Sequence, residues 1–268
     1  MSDRVVPLPQ RGFGRTSRTD AWWLQPLSVV LVLGAFLVYA NIRVFQGSHY
    51  HYEGQGAHYL SPFYSPELWG ESIHAWFGPK PAWWPGWLFF SPAALILWAP
   101  AGFRLTCYYY RGAYYKGFWA DPPACAVGEP RKTYWGERTL PLILQNLHRY
   151  FLYVALIFLL ILAWDAWSAL WFIKPDGSKT LGIGVGTIVL TLNVVFLGAY
   201  TLGCHSLRHL VGGYRDTMSD RQRKCYECVS SLNQRHMLFA WISLFWVAFS
   251  DLYIYMLSTG AWSDLRIL

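Results

Sequence analysis

The chain has 268 residues, of which 54% are hydrophobic, 19% aromatic and only 14% charged. Soluble domains carry about a quarter charged residues, so the composition excludes a water-soluble globule and points to one membrane domain with modest loops. The net charge of +7 invites a nucleic-acid reading, which the placement of the basic residues removes, and an odd count of five cysteines excludes a fully paired disulfide framework.

Residues 1–22 form a polar tail carrying Arg4, Arg11, Arg15 and Arg18. It has no early apolar core and no small-residue cleavage site, so no secretory signal is expected. Five apolar stretches then reach the ~20 residues needed to cross ~30 Å of hydrocarbon. The first is about 23–45. Loop 46–83 follows, rich in aromatics with Gly, Ser and Pro, a composition that suits a packed cap over the bundle. The second stretch is about 84–108, where Pro92 and Pro100 predict kinks that packed neighbours tolerate. The third is about 147–173 and contains Asp165; the fourth is about 181–210 and contains Asn193; the fifth is about 236–257 and contains Asp251. The expected fold is an all-α integral membrane protein, a bundle of five transmembrane helices within 23–268.

Loop charges orient this bundle. The N-terminal tail, loop 109–146 and loop 211–235 must share one side, and together they hold fourteen Lys and Arg. The other side holds only Lys80, Lys174, Lys179 and Arg266. The basic side is therefore assigned to the cytoplasm, with the N-terminus inside, and the C-terminus and cap outside. This accounts for the positive charge without nucleic acid.

All five cysteines (Cys107, Cys125, Cys204, Cys225 and Cys228) fall at or beyond the cytoplasmic ends of the second and fourth helices. His148 opens the third helix, His205 and His209 end the fourth, and His236 opens the fifth. The topology thus gathers thiols and imidazoles at one membrane face. His205 and His209 are four apart, so on a helix they share a face and can reach one metal. Two Cys and two His make up the ligand set of a Rieske-type [2Fe–2S] centre. A single haem b between His148 and His205 is an alternative, as is a structural cluster with no cofactor. Cys225 and Cys228 form a lone CxxC, and a zinc site would need a second pair. Arg149 and Tyr108, with His148, lie at the same interface and suit a quinone headgroup, although an ordinary basic and aromatic belt has the same make-up. Asp165 and Asp251 lie toward the outer leaflet, where carboxylates are costly and are either functional or paired. Asn193 is a candidate partner for them.

Six segments together carry a family resemblance: YLSPFYSP (59–66), TCYYYRGAYYKGFW (106–119), DPPACAV (121–127), LPLILQNLHRYFLY (140–153), YTLGCHSLRHLVGG (200–213) and LNQRHMLFAW (232–241). They resemble the membrane-anchor subunit of succinate:quinone oxidoreductases of the actinobacterial, Rieske-containing type. The resemblance implies a plasma-membrane subunit that docks a flavoprotein and an iron–sulfur subunit on its cytoplasmic face. It also implies electron delivery through an embedded [2Fe–2S] centre to a menaquinone or ubiquinone, with succinate oxidised on the partners. The positions matching the family's Cys/His segments are Cys107, Cys125, Cys204, His205 and His209. The set Cys107, Cys125, His205 and His209 is expected as ligands, with Cys204 as the main substitute and His148 next. Two other readings stand beside it: a cofactor-free anchor, and a single-haem cytochrome b subunit of another respiratory oxidoreductase.

Overall fold

The structure is a computed structural model describing residues 12–133, 139–140 and 142–268. Arg4, Arg11 and Arg138, counted above among the cytoplasmic charges, lie outside these residues. Among the described residues, four helices are long and apolar enough to cross a membrane: Leu24–Gln46, Ile143–Ser168, Val185–Leu202 and His236–Ser258. In chain order these contain α1 (Leu24–Gln46), α5 (His148–Ser168, preceded by a 3₁₀ turn Leu142–Leu147), α6 (Val185–Leu202) and α9 (His236–Ser258).

The expected second helix, 84–108, is not continuous. Residues 84–91 are irregular, α2 covers Pro92–Ile96 and α3 covers Trp98–Leu105. Ser91 caps α2 through its hydroxyl, and Pro92 occupies the first turn, where its missing N–H is not needed. Pro100 cannot donate to the Ile96 carbonyl, and the helix breaks between them at Leu97. The expected fourth helix, 181–210, also ends early, at Leu202. Two short hairpins depart from the all-α expectation. In the first, β1 (His51–Gly54) pairs antiparallel with β2 (Ala57–Leu60); in the second, β3 (Trp171–Ile173) pairs with β4 (Lys179–Leu181).

The chain forms two compact units, Met1–Tyr39 with Arg104–Leu147, and Ala40–Phe103 with His148–Leu268. In the first, the N-terminal strand of chain lies along the loop after Asp121. Gly14 N–H donates to the Gly128 carbonyl (3.0 Å), and Gly128 N–H donates to the Arg15 carbonyl (2.8 Å). Arg131 pairs with the buried Asp121 at 3.0 Å. Within this unit α4 (Tyr108–Tyr114) runs into a π-helical turn, Tyr115–Trp119. Tyr110 is buried there and accepts a hydrogen bond from Arg104 at 3.0 Å.

In the second unit α6 packs against α5 and α9, and the hairpins and loop 61–91 close one end as a cap. Tyr59, Phe172, Val189, Leu190, Ile254 and Leu257 belong to one buried apolar cluster that joins the cap to these helices. Tyr59 lies flat on α6 because residue 186 is glycine; a Cβ there would overlap its ring.

Buried carboxylates pin the cap. Asp251 of α9 pairs with Arg43 near the end of α1 (2.7 Å) and accepts from the Ser61 hydroxyl (2.5 Å). Arg43 also donates to the His49 carbonyl (3.0 Å) and lies over the Tyr255 ring. Asp165 of α5 accepts from the Ser65 hydroxyl. Asp264 accepts from the Tyr59 and Tyr253 hydroxyls (2.7 Å each) and from Gly186 N–H (2.9 Å), placing an anion at the start of α6, where the helix dipole favours it. Both intramembrane acids singled out in the sequence are therefore held by serines of YLSPFYSP. Asn193 is not their partner: it is buried, and neither atom of its amide is hydrogen-bonded among the described residues.

Removing one member of a fully buried ion pair leaves the other charge uncompensated, at a cost of about 3–5 kcal/mol. Asp251→Ala is expected to lower the thermal unfolding midpoint of the detergent-purified protein substantially. The double variant Arg43→Met/Asp251→Leu should recover most of that loss, because it removes both charges and fills the space.

Candidate functional site

The end of the second unit opposite the cap holds the chemistry. There, Phe103 near the end of α3 stacks on His148, the first residue of α5 (centroids 4.6 Å apart, planes 11° apart). Phe103 also meets Tyr200 of α6 edge-on at 5.5 Å, and Tyr200 stacks on His236, the first residue of α9, at 4.9 Å and 13°. Two imidazoles are thus fixed by one run of aromatic faces. Phe103, His148 and Tyr200 are buried, and His236 is half-buried.

Cys204 enters this group because α6 stops short. Gly203 caps the helix, and Cys204 turns to extended backbone (φ −63°, ψ 139°) to become the N-cap of α7 (His205–Arg208). A side chain at 203 would crowd the Ala199 and Leu232 carbonyls, so the close approach there needs glycine. Asn233, in helix α8 (Asp220–Gln234), fixes the break by donating to the Gly203 carbonyl at 2.8 Å. Arg208 is tied to the same helix, donating to the Ser230 hydroxyl at 3.0 Å and lying over the Tyr226 ring.

The Cys204 thiol is 1% exposed and sits 3.0 Å from His148 Nε2. It also accepts a hydrogen bond from Ser206 N–H at 3.3 Å. The imidazole and the thiol share a hydrogen bond whose donor depends on the ring tautomer. Replacing the shared thiol proton by a metal ion leaves a thiolate and a neutral imidazole, both good donors.

The other expected site residues lie elsewhere. Cys107 is buried and is the N-cap of α4. Cys125 is exposed, and its carbonyl accepts from Arg18 at 3.0 Å. His205 is exposed at the start of α7. His209 begins a π-helical turn, His209–Gly213, and is exposed; its Nδ1 accepts from Arg149 at 3.0 Å. Tyr108 is exposed, with the Arg111 guanidinium over its ring at 4.5 Å. Cys225 and Cys228 are exposed on α8. Among the described residues, no three His, Cys, Asp or Glu side chains converge into a metal-binding group. The contact present is the pair His148–Cys204, with His236 beside it. His236 was passed over as a ligand in the sequence, although it opens α9 just as His148 opens α5.

Exposure separates the five thiols cleanly. In the folded, detergent-purified protein a maleimide is expected to label Cys125, Cys225 and Cys228 within minutes, and Cys107 and Cys204 only after denaturation. Fast labelling of Cys204 in the native protein would contradict the buried site.

Comparison with known proteins gives a consistent answer. The family described as actinobacterial succinate dehydrogenase subunit SdhC matches residues 24–260. A chain of the Mycobacterium smegmatis Sdh1 complex in the apo form is similar at 44% identity, with a TM-score of 0.85, over 100% of this chain and 98% of that one. No curated protein matches.

Proposed function

This chain belongs to the actinobacterial succinate dehydrogenase SdhC family, and from that premise we propose that it anchors the flavoprotein and iron–sulfur subunits to the plasma membrane and passes their electrons to a membrane quinone. It is a multi-pass membrane subunit, and succinate is oxidised on the partners. The orientation follows the loop charges, with the basic face, including Arg221, Arg223 and Lys224 of α8, turned to the cytoplasm to receive the partners. The interrupted segment α2–α3 counts as the fifth crossing. Phe103 near its end stacks on His148 at the other end of α5.

The observation that carries the redox reading is the buried 3.0 Å contact between His148 Nε2 and Cys204 Sγ. A Rieske-type centre needs two thiolates on one iron and two imidazoles on the other. Within the second unit the donor chemistry fits three of those four places: His148 and His236 would supply the imidazoles and Cys204 one thiolate. This differs from the expected set of Cys107, Cys125, His205 and His209, of which Cys125, His205 and His209 are exposed. Such a centre, when bound, supplies one-electron transfer at a potential set by burial and by hydrogen bonds to its ligands.

The chain's own polar groups then serve the quinone. His209 Nδ1 accepts from Arg149, which assigns its hydrogen to Nε2. That N–H faces outward as a hydrogen-bond donor, beside a guanidinium that stabilises negative charge on a quinone oxygen as it is reduced. Menaquinone and ubiquinone both present the carbonyl oxygens this pair recognises.

The test is electron paramagnetic resonance with iron and acid-labile sulfide analysis on the purified complex. His148→Ala and His236→Ala are expected to lose a reduced [2Fe–2S] signal that His205→Ala and His209→Ala retain. His209→Ala should lower kcat/KM for quinone about tenfold, the loss of one strong hydrogen bond, with that signal intact. Loss of the signal in His205→Ala and His209→Ala, with His148→Ala and His236→Ala unaffected, would restore the ligand set expected from sequence. A Soret band in place of the signal would favour the haem alternative.

A further inference from the structure

The cap side carries few basic residues outside the helices: Lys80, Lys174, Lys179 and Arg266. Three of these four gather at hairpin β3–β4. Lys174 and Lys179 flank its turn, and Arg266 lies across Phe172 of β3, its guanidinium 5.1 Å from the ring centroid. A cavity of about 520 Å³ opens beneath the hairpin, lined by Lys174, Arg266, Thr180, His58 and Gln55 among others. No Asp or Glu among the described residues lines it. Of the nearby carboxylates, Asp176 accepts from the Ser178 hydroxyl and N–H and Asp264 from Tyr59, Tyr253 and Gly186, while Glu53, across the first hairpin from His58, is exposed and outside the lining.

Two polar atoms at this cavity lack partners. Thr180 Oγ1 and His58 Nδ1 are buried with no hydrogen-bond partner among the described residues. The hydrogen bond from Arg266 to Leu268 uses only Nε, leaving its two terminal nitrogens for a ligand. Buried polar groups without partners are rare and expensive. Two cations, a hydroxyl and an imidazole around a cavity of this size make a receptor for a tetrahedral oxyanion rather than for a neutral ligand. The membrane level identifies its source. Trp167 and Trp171 pack edge to face beside the hairpin, at 5.9 Å between centroids, and both rings are exposed. Exposed tryptophans of this kind mark the headgroup zone of a bilayer.

We propose that the pocket under hairpin β3–β4 binds the phosphate of an anionic phospholipid in the leaflet on the cap side. Lys174 and Arg266 neutralise the phosphate, Thr180 donates its hydroxyl, and Trp167 and Trp171 sit at the glycerol level.

Native mass spectrometry of the delipidated complex tests this directly, with phosphatidylglycerol, phosphatidylcholine and inorganic phosphate as separate probes. Phosphatidylglycerol is expected to bind in preference to phosphatidylcholine. The double variant Lys174→Ala/Arg266→Ala should lower its affinity about thirtyfold, in line with the attraction of two basic side chains near an anionic lipid surface. Thr180→Val, which keeps the shape of the side chain, should weaken binding severalfold, and Lys80→Ala, on the same side but outside the pocket, should not. Equal binding of the two lipids, or wild-type affinity in the double variant, would overturn the proposal. Inorganic phosphate binding as tightly as phosphatidylglycerol would overturn the lipid assignment and leave a free-anion site.

Discussion

A charge within a bilayer must be paired, and the pair formed by Arg43 and Asp251 organises much of the second unit. It joins the end of α1 to α9 and, through Ser61 and the His49 carbonyl, draws the cap onto both helices. Ser65 on Asp165 and Tyr59 on Asp264 repeat the device on α5 and at the start of α6. Each bond supplies a donor to a carboxylate that would otherwise be stranded, and each ties the cap to a different helix. The cap end of the unit is thus fixed by polar contacts over an apolar cluster, and the depths of α5, α6 and α9 relative to one another are fixed with it.

The opposite end is built on other terms. Its helices are interrupted rather than capped by a folded loop. α3 delivers Phe103, α6 stops at Gly203 so that Cys204 turns inward, and α5 and α9 both begin with histidine. The helix break brings the thiol to His148, and α8 braces the break through Asn233 and Ser230. Irregular backbone at this level is tolerated because it lies within protein and its polar groups are bonded. A thiol facing an imidazole nitrogen in an apolar, aromatic setting has the chemistry of a ligand pair. The aromatic run through Phe103 and Tyr200 holds both histidines in fixed planes.

Much of this was legible in the sequence, for identifiable reasons. α1, α5 and α9 each begin within one residue of their expected starts, because hydropathy over ~20 residues is the strongest signal a membrane chain carries. Hydropathy does not mark where a helix breaks, so the irregular run 84–91 and the stop at Gly203 were missed, although Pro92, Pro100 and Gly203 were visible. That His148, Cys204 and His236 lie at one end of their helices was readable from topology; the contact between His148 and Cys204 was not. The i, i+4 spacing drew attention to His205 and His209, yet spacing shows only which side chains share a face and not whether that face is buried. Both turn out to be exposed, whereas His148 and His236, 88 positions apart in the chain, are joined through two intervening rings. A signal was available in hindsight: each opens a long apolar helix on the same side of the membrane.

The central claim, that imidazoles of this chain ligate an iron–sulfur centre at the end of the bundle, is tested most directly by electron spin-echo envelope modulation of the reduced complex. The complex would be prepared with and without ¹⁵N-histidine incorporated into this subunit alone. The account predicts two strongly coupled histidine nitrogens whose frequencies change with the label. A spectrum of the reduced clusters with no coupling that responds to histidine labelling would contradict it.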